Sequence, residues 1–77
     1  MNLHDKLIMA VTEYDRHEEK MALKNPRRSH NPYALAHYCR AVGEIIAEVE
    51  QGVDVETAIC NNTLGRLQTV CLKAARK

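Results

Sequence analysis

Residues 31–52, N-P-Y-A-L-A-H-Y-C-R-A-V-G-E-I-I-A-E-V-E-Q-G, decide the fold of this chain. Leu35, Tyr38, Val42, Ile45 with Ile46, and Val49 recur at steps of three and four, the spacing that stacks side chains on one face of an α-helix. Asn31 can cap such a helix, and Pro32 falls at its first position, where the missing N–H costs nothing. Gln51-Gly52 supplies the stop, since glycine readily takes the left-handed conformation that ends a helix. The stretch therefore predicts an amphipathic helix over residues 31–51.

The same reading extends outward in both directions. Upstream, Asn2 caps a first helix and Asp5 sets negative charge against its N-terminus. Leu3, Leu7, Val11, Tyr14 and Met21 form its apolar seam, interrupted by His17 and Glu18, and Asn25-Pro26 ends it because the residue before proline disfavours the α region. Downstream, Asp54 caps a third segment whose apolar phase runs Val55, Ile59, Thr63, Leu67, Val70 with Cys71, and Ala74. Asn61, Asn62 and Gly65 are poor helix formers in its middle, so it reads either as one kinked helix or as two short ones. Because the apolar phase survives the break, the expectation is one helix. Short connections favour antiparallel neighbours, and the fold expected is all-α: a single domain over residues 1–77 forming a three-helix antiparallel bundle of 2–24, 31–51 and 54–75.

Composition bounds the rest. A chain of 77 residues is one domain at most, and its core must come mainly from seven Leu, four Ile and six Val, with no Trp or Phe. So thin a core is often supplemented by pairing with another copy or with a partner. The formal charge of +1 argues against a dedicated polybasic nucleic-acid binder. Cys39, Cys60 and Cys71 are odd in number and unclustered, which fits free thiols in a reducing cytoplasm better than a disulfide framework. No run approaches the ~20 apolar residues of a membrane span, and the N-terminus lacks a signal peptide's apolar core, so a cytoplasmic protein without a membrane role is expected.

Catalytic and metal chemistry find little to stand on in the sequence. Zinc commonly takes ligands in tight pairs, whereas His37 and Cys39 point to opposite sides of their helix, and His4, His17 and His30 have no close partner of suitable spacing. The cysteines read as small core or seam residues. Ser29 and the thiols sit in no nucleophile turn, three isolated glycines build no phosphate loop, and the adjacent Glu18 and Glu19 diverge as solvated groups. The chain is expected to be neither an enzyme nor a carrier of a metal or cofactor.

Charge is laid out in blocks. Residues 25–43 hold Arg27, Arg28 and Arg40 without an acid; residues 44–57 hold Glu44, Glu48, Glu50, Asp54 and Glu56 without a base; the last twenty hold Arg66, Lys73, Arg76 and Lys77 without an acid. Glu48 and Glu50 close the central helix, where the dipole disfavours anions by ~0.3–1 kcal/mol each. The linker at 24–31 and the turn at 51–54 should lie at opposite ends of the bundle, making it electrostatically bipolar. Candidate partner contacts are then Arg27, Arg28, His30 and Tyr33 at one end and Glu48, Glu50, Asp54 and Glu56 at the other. The plain alternative is an ordinary solvated surface, and for Tyr33 a structural lid over its loop.

Asn31-Pro32-Tyr33-Ala34-Leu35, the acidic turn from Gly52 to Glu56, Leu64-Gly65-Arg66-Leu67 and Cys71-Leu72-Lys73-Ala74 resemble segments of small helical proteins encoded in bacteriophage and prophage genomes. The resemblance covers residues 31–77. It implies a setting in which compact proteins bind and disable or redirect a host protein, defence complexes such as CRISPR included. The function expected is a small non-enzymatic protein-binding module, an inhibitor or adaptor acting on a host or phage protein. The alternatives are a nucleic-acid-binding regulator, resting on Arg27, Arg28, Arg40, Lys73, Arg76 and Lys77, and a structural homo-oligomerisation unit using the Leu3–Met21 or Leu35–Val49 stripe as its seam.

Overall fold

Helices account for most of the chain. In the computed structural model, which describes residues 1–77, α1 spans Leu3–Lys24, α2 Ala34–Glu50, α3 Val55–Asn62 and α4 Gly65–Ala75. The all-α class is as expected, but the bundle has four helices, because the segment read as one helix over 54–75 is two. Thr63 and Leu64 are fully extended (φ −138°, ψ 158° and φ −137°, ψ 157°), and Gly65 sits at φ +59°. Glycine takes that conformation without the Cβ clash that other residues meet. Thr63 is buried at the break and donates its hydroxyl to the Ile59 carbonyl at 2.6 Å, while Gln68 Nε2 donates to the Thr63 carbonyl at 3.2 Å.

The other boundaries follow their caps. Asn2 Oδ1 accepts the Asp5 N–H at 2.8 Å, and Asp54 accepts the Thr57 N–H at 3.3 Å. At the end of α2, Gly52 (φ +96°) and Val53 return their N–H groups to the carbonyls of Val49 and Glu48, each at 3.0 Å, a Schellman closure. The start of α2 departs from expectation. Asn31 Oδ1 accepts the Tyr33 N–H at 2.9 Å and its carbonyl accepts the Ala34 N–H at 3.0 Å, so Asn31-Pro32 form a turn ahead of the helix, and Tyr33 is the cap.

The helices form a ring in which α1 touches α2 and α4, and α3 touches α2 and α4. Tyr14 on α1 meets Tyr38 on α2 with ring centroids 5.7 Å apart, so α2 runs back along α1. Lys6 Nζ donates to the Lys77 carbonyl at 2.7 Å, and Arg76 reaches Glu56 at 2.7 Å; α4 is therefore antiparallel to both α1 and α3. The result is elongated, 44 × 20 × 17 Å. Leu7 and Val11 of α1, Val42 and Ile45 of α2, Ala58 and Ile59 of α3, and Cys71 and Ala74 of α4 share one core. Complete burial of a Leu, Ile or Val side chain contributes about 1.5–3 kcal/mol, and the five such residues, Leu7, Val11, Val42, Ile45 and Ile59, carry the fold. No helix is long and apolar enough to cross a membrane.

Candidate functional site

The apolar seam of α1 breaks where the linker lands. Asp15 is buried on the core side of α1, one turn beyond Val11, and Glu18 is half-buried beside it. His30 turns back from the linker to place Nε2 2.8 Å from Asp15 Oδ1, and Arg28 places Nη2 2.9 Å from Glu18 Oε2. An ionised carboxylate only accepts, so Nε2 of His30 is the donor. Its only side-chain partner is Asp15. Burial, followed by the neighbouring Tyr14, Asp15 and Glu18, pushes the Tyr38 phenol above its ordinary pKa.

Arg28, His30, Glu48 and Glu56, four of the eight residues expected at partner-binding sites, are thus tied within the fold. Glu48 accepts from Asn61 Nδ2 at 3.0 Å and from Asn62 Nδ2 at 2.6 Å, joining the end of α2 to the end of α3. Those bonds hold its carboxyl below its ordinary pKa. Glu56 pairs with Arg76, so the acidic turn lies beside the basic C-terminus and is partly neutralised by it. Asp54 is a helix cap. Arg27, Tyr33 and Glu50 remain outward-facing, and Tyr33 is 70% exposed, which rules out the lid over its own loop.

Sequence reasoning missed a feature along the seam between α1 and α4. Two adjoining hollows, about 330 and 280 Å³, share Ala10, Glu13, Ala74 and Lys77. Tyr14, His17, Val70 and Lys73 complete the first; Met1, Lys6 and Met9 complete the second. Met1 and Met9 are exposed there, and three lysines face one glutamate around the apolar floor. The small side chains Ala10 and Ala74 line both hollows, but neither alanine marks a groove when read on its own helix.

Arg66 and Lys73 are exposed on α4, Arg76 and Lys77 follow its last residue, and the stretch 65–77 contains no acid. Arg76 bridging to Glu56 closes α3 and α4, across a two-residue turn, into an antiparallel hairpin. No protein-family model matches this chain, and neither a curated protein nor a solved structure matches it.

Proposed function

We propose that this chain is a small non-enzymatic protein-binding module, an inhibitor or adaptor that docks onto a host protein complex through the α1–α4 seam. The open apolar floor between Met1, Met9, Tyr14 and Val70, rimmed by Lys6, Lys73 and Lys77, carries the reading. Exposed methionines adapt their shape to a partner, and a cationic rim favours an acidic segment of that partner. Arg27 and Tyr33 at the far end of α1 offer a second contact, Tyr and Arg being typical interface anchors. The phage-type setting, with defence complexes such as CRISPR among the targets, rests on the resemblance of residues 31–77.

Affinity capture from bacterial lysate, with and without nuclease, tests the reading. One protein complex retained after nuclease supports it; retention of nothing overturns it. Capture that collapses on nuclease treatment moves the assignment to nucleic acid, a second reading favoured by the acid-free basic stretch 65–77.

A further inference from the structure

The corner where the linker returns to α1 holds more than an ion pair. Asp15 and Glu19 are four residues apart on α1 and therefore share a face, and His30 descends on them from the linker. One ligand atom from each of the three lies within 4.8 Å of the other two. Asp15 uses only Oδ1 in its bond to His30, so its second oxygen keeps its lone pairs at a site almost closed to solvent. Glu19 is exposed and completes the triangle from the solvent side.

We propose that Asp15, Glu19 and His30 form a binding site for a divalent transition metal, zinc first among them, which fastens the linker 25–33 to α1. Two carboxylates and one imidazole are a donor set suited to zinc, and three protein ligands leave a fourth position for water. The dimensions agree. Ligand atoms ~2.0–2.2 Å from a tetrahedral ion stand ~3.3–3.5 Å apart. The 2.8 Å pair of Nε2 and Oδ1 must therefore widen by about half an ångström, while Glu19 closes inward. The ion replaces the proton that His30 shares with Asp15. That proton leaves to solvent or moves to Nδ1, and Nε2 becomes the ligand.

The site differs from an acidic patch in three respects. Its ligands come from two elements, one of them is a buried carboxylate, and one is an imidazole whose position depends on the chain's return from Asn25. The exposed ends of α1 and α4 offer nothing similar: His4 meets only Asp5, at 3.3 Å and in solvent. The binding also has a mechanical consequence. The linker is held at Glu18 and Asp15 by side chains alone, and an ion at the second anchor converts a hydrogen bond into coordination.

Calorimetric titration of untagged, chelator-treated full chain with zinc chloride tests the proposal, with cobalt(II) absorption as the spectroscopic check. The expected result is one ion per chain, with cobalt giving d–d bands and no thiolate charge-transfer band. Glu19→Gln alters an exposed side chain that supports no packing, so it should fold normally and weaken zinc binding about tenfold or more; His30→Gln should do the same. Cys60→Ser should leave the titration unchanged, and zinc should slow amide exchange in residues 25–33. Absence of saturable zinc binding overturns the proposal. So does binding that is undiminished in Glu19→Gln, or a cobalt spectrum dominated by thiolate that Cys60→Ser removes.

Discussion

Removing a partner from a buried carboxylate costs more than the contact itself, because the charge left behind has lost water as well. His30→Ala should therefore destabilise the chain by about 1–3 kcal/mol, read as a lower urea midpoint at neutral pH; an unchanged midpoint would mean that Asp15 finds water once the imidazole is gone. The thiols make a second prediction of the same kind. Cys60 is exposed, Cys39 half-buried, and Cys71 buried, with burial pushing its thiol pKa up. Alkylation in the native state should label Cys60 first and leave Cys71 unmodified until the chain unfolds, since only the thiolate reacts. Labelling of Cys71 at the rate of Cys60 would contradict the packing of α4. None of these pairings was visible in the sequence. Asp15 and His30 are fifteen residues apart, and their meeting depends on how the chain turns at Asn25 and Arg28, where local spacing carries no information.

Two glycines of opposite circumstance test the helices. Gly43 lies inside α2 with open space where a Cβ would stand, so Gly43→Ala should stabilise by about 0.5–1 kcal/mol. Gly65 has equal space but φ +59°, so Gly65→Ala should destabilise by about 1–2 kcal/mol through the backbone alone. Chemical denaturation of the two variants reads both signs, and a stabilised Gly65→Ala would mean that α3 and α4 join as one helix. The clasp of Glu48 with Asn61 and Asn62 gives a pH dependence. Its carboxyl is held below the ordinary value when folded, so its contribution is present above the unfolded pKa and lost as pH falls through the folded pKa. Glu48→Gln should flatten that part of the acid unfolding profile by lowering stability on the neutral-to-alkaline side, while leaving stability below the folded pKa unchanged. The stripes of α1 and α2 were legible because burial follows their period. The third stripe was legible too, since Ile59, Thr63, Cys71 and Ala74 are all buried, yet it was read as one element. Burial phase can survive an extended pair of residues; a helix cannot, and Asn61, Asn62 and Gly65 marked the difference.

At the scale of the molecule, the stripes of α1 and α2 are occupied within the ring by Leu7, Val11, Val42 and Ile45. Self-association through either stripe would require the ring to open, so any concentration-dependent species in sedimentation should be abolished by changes to the α1–α4 seam and not depend on these stripes. What remains outward is unevenly distributed: an open seam with a lysine rim along α1 and α4, and an end carrying Arg27 and Tyr33. The bipolar charge expected from the sequence is weakened because Arg76 comes back onto Glu56, a long-range consequence of the hairpin that block charges do not reveal. The docking seam was illegible for a related reason, since a groove belongs to two helices and its alanines look unremarkable on each. The most direct test is nuclease-treated affinity capture from bacterial lysate with the wild-type chain, a Met9→Asp/Lys73→Glu/Lys77→Glu variant and an Arg27→Glu/Tyr33→Ala variant, each confirmed folded by circular dichroism. The seam variant should lose the captured complex and the far-end variant should retain most of it; capture equal in the wild type and the seam variant would contradict docking through α1 and α4.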